Sequence, residues 1–582
     1  MNDWLERFET ALKARDVDAA AALFAQDSYW RDLVAFTWNI KTVEGRDGVT
    51  DLLKACVDVD ATGFRTTEPP TEADGVTEAW LEFETALGHC RGYLRLTDEG
   101  ARTLLTTLED LKGFEEPQRD RRPFGVRHGP VPGRRSWAQE RAAEQAEIER
   151  QPYVVVVGGG QGGIALGARL RQFGVPALVL DRNDRAGDAW RNRYQTLTLH
   201  VPVWYDHLPY IPFPDSWPVF TAKDKLADWM EMYTRVMEIP YWTRSEVKSI
   251  SYDDGWTVTV DRDGETVLLH PAHVVIATGM AGKPNVPSFP GADLFEGEQH
   301  HSSAHRGPEG YEGRKAVVIG SNNSAHDICA ALVEHGADVT MVQRSATHVL
   351  KSETLMDLAL GGLYSEEAVA AGITTERADT LFNSQPYRVM TELQRSAQEQ
   401  IRERDAEFYA RLEQAGFAHQ WGDDGTGLVM MYLRRGSGYY IDVGASALIL
   451  DGSIKLAHGQ VARLTRDAVV LEDGTTLEAD LVVYATGYGP MNGFVADLGG
   501  AEMAERVGRV WGIGSDTYRD PGPWEGEQRN MWKPTQQPGL WFHGGDMAQS
   551  RFFSRYLALQ LKARFEGLPT PVYGLQEVHH PR

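Results

Sequence analysis

A chain of 582 residues with 42% hydrophobic residues and a net charge of −24 holds enough apolar material for three to four domains of roughly 150 residues each. The acidic balance excludes a general nucleic-acid binder. Cys56, Cys90 and Cys329 are odd in number, far apart and form no C-x-x-C pair, which excludes a disulfide framework and points to a reducing compartment. The stretch Met1–Arg7 carries no basic or apolar signal region. No run of about 18 apolar residues occurs, so a cytoplasmic protein without membrane contact is expected.

Trp4, Leu5, Phe8 and Leu12 share one helical face, and Ala19, Ala20, Leu23 and Phe24 share another. Asp16-Val17-Asp18 supplies the turn and an N-cap between them. Strands are expected at Ser28–Asp32, Phe36–Ile40, Glu78–Phe83, Arg91–Leu96 and Ala101–Thr106, the last two joined as a hairpin through Thr97–Gly100. Helices followed by a strand meander make an α+β domain over 1–114. This segment resembles the cone-shaped nuclear-transport-factor-2-like, or polyketide-cyclase-like, superfamily. That resemblance makes Asp27, Tyr29 and Asp32 candidates to line a pocket, with a packing or dimerisation module as the favoured reading. Residues 115–150 follow as a linker rich in Arg119, Arg121, Arg122, Arg127, Arg134 and Arg135, then a charged helix capped by Ser136.

Four valines, Val154–Val157, read as a buried strand that runs into Gly158, Gly160 and Gly163 in G-x-G-x-x-G spacing. Gly158 permits the tight turn, Gly160 lets the backbone approach a pyrophosphate, and Gly163 lets helix and strand pack closely. The following helix start offers unpaired N–H groups to phosphates. Ala177–Leu180 makes the next strand, and Asp181 closes it where an acid meets the ribose hydroxyls. A second unit begins at Lys315, with the turn Gly320–Ala325, a helix from Ser324 to Glu334 and a strand Asp338–Val342. Asn322 replaces its middle glycine and is expected to tolerate positive φ. Gln343-Arg344 stands where the first unit has Asp181; Arg344 suits a 2′-phosphate. Strands ending in Ala277-Thr278-Gly279 and Ala485-Thr486-Gly487 repeat each other, and 351–435 is a helical insertion. The fold expected is α/β, with two Rossmann-like dinucleotide domains behind the small α+β domain. The boundaries read 151–312 for the first part of the first dinucleotide domain, 313–440 for the second with its helical insertion and 441–582 for the rest of the first.

Between the nucleotide units, Phe295, Gly297, His301 and Ser302 match the F-x-G-x-x-x-H-[ST]-x-x-[YW] signature; His305 stands where Tyr or Trp is usual. On these residues the chain resembles the flavin-containing and Baeyer–Villiger monooxygenases over 150–570. Its N-terminal extension resembles their type II branch, and Leu199-His200-Val201-Pro202 the plant auxin-forming enzymes. The resemblance implies FAD at Gly158, Gly160, Gly163 and Asp181, with Trp190 and His200 near the isoalloxazine ring and Asp546 at its far end. It implies NADPH, with NADH as a second donor, at Gly320, Asn323, Ser324, Gln343 and Arg344. His301, His200 and Ser302 are the candidate catalytic residues, and no metal is expected. The implied reaction is reduction of FAD, capture of O2 as a C4a-peroxyflavin and oxygen transfer to a small ketone, thioether or amine. Decarboxylating oxidation of a 2-oxo acid, a two-cofactor reductase or oxidase, and a redox-sensing flavoprotein remain alternatives. The expected partners are a small-molecule substrate, O2 and a second copy in a homodimer.

Overall fold

In the computed structural model, residues 1–126, 128–280 and 282–579 are described. Arg127 of the linker lies outside them. The N-terminal residues build a seven-stranded sheet. Its main path runs Ile40–Glu44, Phe24–Leu33, Gly100–Leu111, Gly88–Thr97, Val76–Glu84, Thr62–Thr66. The helices Asn2–Ala14, Val17–Ala21 and Gly45–Ala55 accompany it. Asp16 caps the second helix as expected, accepting from Ala19 N–H at 2.9 Å.

The interior of this module is filled by rings. Trp4 stacks on Phe8, Phe24 on Trp30 and Phe64 on Phe83, with centroids 4.8, 5.8 and 4.6 Å apart. Phe36–Ile40 is not the expected strand. The buried Asp32 carboxylate accepts from Phe36 N–H and from Thr37 N–H and Oγ1. It thereby folds residues 34–39 into a turn, with Trp38 at φ +49°. Burial pushes Asp32 up to about 6 against those hydrogen bonds. The trio proposed for a pocket is dispersed: Asp32 holds this turn, Asp27 is exposed on Arg102, and Tyr29 is buried.

Among its described residues the linker carries one short 3-10 turn, and the helix Trp137–Arg150 begins at a capping box made by Ser136 and Gln139. Two five-stranded parallel sheets follow. The first is ordered Tyr241–Trp242, Ala177–Leu180, Val154–Val157, His273–Ile276, Leu540–Phe542. The second is ordered Ile454–His458, Asp338–Gln343, Lys315–Ile319, Leu481–Tyr484, Glu298–His301. The two plans are the same: a strand–turn–helix unit at the centre, and beside it the strand that enters an Ala-Thr-Gly turn. A three-stranded antiparallel meander precedes that strand in each (Ser245–Leu269 and Val461–Glu478).

The boundaries expected at 312 and 440 do not follow the sheets. Glu298–His301, Ile454–His458 and Leu481–Tyr484 all pair into the second sheet. Sequence spacing does not reveal which parallel neighbour a short apolar run will choose. The insertion is helical as expected, with Thr375–Asn383, Tyr387–Arg404, Ala406–Gln414 and Gly427–Arg435 its longest helices. Met390, Ile401 and Leu412 are buried there, but Leu393 is 48% exposed. Met547–Phe565 is a nearly all-buried helix packed on Gln161–Gln172.

Candidate active site

The first glycine turn assigns its three glycines different tasks. Gly158 has φ +108°, and a Cβ there would lie 2.6 Å from Ala277 O. A Cβ on Gly163 would lie 1.9 Å from Gly158 O, so this glycine lets the helix sit on the turn. Gly160 is open: the nearest atom to its Cβ position is Ala189 Cβ at 3.9 Å. No side chain caps the helix Gln161–Gln172 that starts there. An uncapped helix start beside open space is a site for an anionic group. Asp181 is braced at the strand end, with Oδ2 accepting from Gly159 N–H at 2.9 Å and Oδ1 from Asn183 N–H at 2.8 Å. Trp190 is half-buried next to Ala189, in the short helix Asp188–Arg191.

The second turn repeats the geometry with one difference. Gly320 has φ +127°, and its Cβ would lie 2.2 Å from Ala485 O. Asn322 has φ −97°, so it needs no left-handed backbone, contrary to expectation; Gly320 alone absorbs the reversal. The helix Asn323–Glu334 also lacks a side-chain cap. Asn323 Oδ1 accepts from Ile441 N–H at 3.0 Å, tying the helix start to the strand Tyr439–Asp442. Ser324 follows it, half-buried. Gln343 is turned away: Nε2 donates to Ala418 O and Oε1 accepts from Ala418 N–H, at 3.0 and 2.8 Å. Its amide is spent on the insertion and is not offered to a ribose. Arg344 is exposed and makes no ion pair among the described residues.

His301 ends the edge strand of the second sheet. Its Nδ1 accepts from Ser303 N–H at 3.1 Å, so Nε2 carries the proton donated to Gly487 O at 3.0 Å. Burial, with a smaller push from Arg193, holds this imidazole below its ordinary value and keeps it neutral. Gly487 O also accepts from Asn285 N–H at 3.0 Å. Arg193 donates to Tyr488 Oη at 2.7 Å, and Arg306 to Asn192 O at 2.9 Å. His301 thus ties the signature to the second Ala-Thr-Gly turn, while Arg193 and Arg306 fasten this region to the loop that follows the first nucleotide unit. Ser302 is buried beside His301, and none of its side-chain atoms makes a hydrogen bond among the described residues. His300 and His305 hydrogen-bond each other at 3.0 Å.

Among the described residues His200 makes no hydrogen bond to His301. Its Nε2 is 3.2 Å from Asp327 Oδ2, which also accepts from Tyr194 Oη at 2.7 Å. Asp327 sits on the second nucleotide helix, so this cluster is another link between the two units. Asp546 is the N-cap of the last helix, with Oδ1 accepting from Gln549 N–H and Oδ2 from Tyr205 Oη, at 2.8 and 2.9 Å. Burial pushes its carboxyl up, offset in part by those donors. Tyr432 Oη accepts from Asp546 N–H at 2.8 Å and donates to Gln549 Oε1 at 2.6 Å. Gln161 donates to Gly545 O at 3.3 Å, which joins this cluster to the first glycine turn.

Asp327, Tyr205, Tyr432 and the buried pair Arg551–Asp379 were not legible in the sequence. Each lies far along the chain from its partner, and no local spacing marks it. The three cysteines are free, and the buried Cys90 and Cys329 belong to different parts of the fold. No C-x-x-C spacing occurs among the three.

The model of the pyridine nucleotide-disulphide oxidoreductase family matches residues 155–411. The indole-3-pyruvate monooxygenase YUCCA1 of Oryza sativa subsp. japonica is 30% identical over 364 residues, covering 62% of this chain and 82% of the relative. The probable indole-3-pyruvate monooxygenase YUCCA3 of Arabidopsis thaliana is 29% identical over 345 residues, covering 57% and 72%. Among solved structures, a flavin-containing monooxygenase from Stenotrophomonas maltophilia matches with 19% identity and a TM-score of 0.47, over 71% of this chain and 98% of that one. The glycine turns, the His301 signature and the extent of the plant match lead to one assignment: the chain belongs to the flavin-dependent monooxygenase family that includes the plant indole-3-pyruvate monooxygenases.

Proposed function

We propose that the chain oxidises NADPH through bound FAD and transfers one atom of O2 to a small organic substrate. The observation that carries this reading is the pair of uncapped helix starts, one behind each glycine turn. In this reading Gly158, Gly160, Gly163 and Asp181 hold FAD, with Trp190 and Asp546 beside it. Gly320, Asn323, Ser324 and Arg344 hold NADPH. Bound flavin supplies the hydride acceptance and the oxygen chemistry. The chain's own residues orient the cofactors and exclude water. His301, as a neutral Nε2–H donor, fixes the Gly487 carbonyl and with it the turn at the end of that strand. His200 and Tyr194 hold Asp327 at the helix start of that unit. Tyr205 and Tyr432 fix Asp546 and exclude water on the far side.

The relatives' names favour a carbonyl substrate, with a 2-oxo acid ahead of a thioether. Purified enzyme offered indole-3-pyruvate, cyclohexanone and thioanisole tests this. Oxygenated product from one of them, in step with NADPH oxidised, is the expected result. Hydrogen peroxide alone from all three would replace monooxygenase with oxidase. We further propose a cytoplasmic homodimer whose residues 1–114 form a nuclear-transport-factor-2-like module that takes no redox step. The charge of −24 favours solubility, and the filled aromatic interior favours a packing role. Among the described residues, no helix is long and apolar enough to cross a membrane. Sedimentation of the full chain tests the dimer.

Replacing His301 by Ala should leave FAD bound, because Gly487 O keeps its bond from Asn285 N–H. Product per NADPH should fall roughly threefold or more as the turn at Gly487 loses its anchor to the signature, with peroxide rising to match. Unchanged coupling in H301A would remove His301 from this role.

Arg344→Ala should lower kcat/KM for NADPH and spare NADH. One charge-assisted contact to the 2′-phosphate is worth about 1.5–3 kcal/mol, or about tenfold to a hundredfold. Equal losses for both cofactors would show that Arg344 does not touch the 2′-phosphate.

A further inference from the structure

One buried charge of the N-terminal module bonds across to distant parts of the chain. Arg31, on the strand Phe24–Leu33, is 1% exposed. Its Nε and Nη2 each donate to one oxygen of Glu527 at 2.7 Å, and Thr42 Oγ1 donates to Glu527 Oε1 at 2.6 Å. Its Nη1 donates to Asn383 O at 2.6 Å, at the end of the helix Thr375–Asn383. The guanidinium carbon stands 4.9 Å from the ring centre of Tyr387, which opens the helix Tyr387–Arg404. One guanidinium therefore joins the module, the C-terminal segment and two insertion helices.

Stability does not require such a group. A buried ion pair is commonly matched or bettered by apolar residues of the same volume. What apolar residues lack is direction: the planar fork holds a carbonyl, a carboxylate and a ring face in fixed relation. The neighbouring contacts Arg377–Glu68, Arg388–Glu44 and Arg95–Ser384 fasten the same helices. They are partly exposed and individually worth little.

Tyr387 passes this placement inward. It belongs to a buried cluster with Met390, Met430 and Leu433, against which Tyr432 packs. Tyr432 in turn grips Asp546 N–H and Gln549 at the start of the last helix. We infer that Arg31 is a positioning residue for the oxygenation site, setting the wall formed by Tyr387 and Tyr432 from the module outside it. The location of that site rests on the function proposed above.

The test compares full-length Arg31→Lys, Tyr387→Leu and their combination with wild type. Lysine keeps a charge against Glu527 but loses the fork and the ring contact. Two readouts are taken: the visible circular dichroism of bound flavin, and KM and kcat for whichever of indole-3-pyruvate, cyclohexanone and thioanisole wild type oxygenates. FAD content and flavin reduction by NADPH should stay at wild-type levels. KM should rise about tenfold in each variant with kcat within about twofold, and the combination should be no worse than the stronger single change. The flavin dichroism should shift alike in all three. Unchanged KM and dichroism in Arg31→Lys, additive effects, or loss of flavin reduction would overturn the inference. Should Arg31→Lys not fold, the neutral pair Arg31→Met/Glu527→Gln takes its place under the same criteria. If wild type oxygenates none of the probes, the proposed function fails, and the dichroism still decides the role of Arg31.

Discussion

Alanine at Gly160 and alanine at Gly163 should fail in different ways. A methyl at Gly163 would fall 1.9 Å from Gly158 O, a backbone atom held by the turn and by the strand behind it. The helix must lift off the sheet to admit it. Overpacking of this kind costs about 1–3 kcal/mol even where side chains give way, and here only backbone can. G163A should therefore melt at a lower temperature without cofactor and purify nearly free of flavin. At Gly160 the methyl meets nothing closer than Ala189 Cβ at 3.9 Å, and φ is −76°. G160A should fold and melt as wild type does in its apo form. Its methyl occupies the space a pyrophosphate needs, so its affinity for FAD should drop by about tenfold or more. The measurements are the flavin-to-protein absorbance ratio, titration of apo protein with FAD, and melting of the apo forms. Wild-type FAD affinity in G160A would move the cofactor away from this turn.

The second large effect is expected at Arg551. Its Nε and Nη2 donate to the two oxygens of Asp379 at 2.8 Å, and its Nη1 donates to Tyr205 O and His207 O at 2.8 and 2.7 Å. Both partners are buried, and Tyr364 Oη adds a bond to Asp379 at 2.9 Å. The ion pair holds the guanidinium well above its usual range despite burial. Arg551→Met would leave Asp379 buried without its charge partner, a loss of about 3–5 kcal/mol. The double change Arg551→Met/Asp379→Leu should recover most of it, because no charge is then left unpaired. Hydrogen exchange adds a local reading. The segments 203–208 and 364–383 should lose protection together in the single variant, since one guanidinium holds both. A single variant as stable as wild type, or a double variant no better than the single, would contradict this account.

How much of this could be read before folding depended on distance along the chain. The first nucleotide unit was legible because Val154–Asp181 is local: a buried strand, glycine spacing, a helix and an acid within one short stretch. The helix cap at Asp16, the capping box at Ser136 and the Arg-rich linker were legible for the same reason. Each is a short-range preference that the backbone satisfies by itself. The second unit was legible too, but its details were not. Asn322 keeps ordinary φ because Gly320 alone takes the left-handed turn. Gln343 faces inward because Ala418, from the insertion, takes both its amide atoms.

By itself, then, the sequence determined the two strand–turn–helix units, the signature at His301 and the order of the parts. Tertiary structure alone decided which strands complete each sheet, what His301 and Asp546 bond, and that Asp32 holds a turn. It also decided that Arg31 and Arg551 both bond to the helix Thr375–Asn383. The physical reason is separation: Arg31 lies 496 residues from Glu527, and Arg551 lies 172 from Asp379. No periodicity or propensity acts over such spans; only the packed sheets bring those groups to bonding distance, where burial makes each hydrogen bond obligatory.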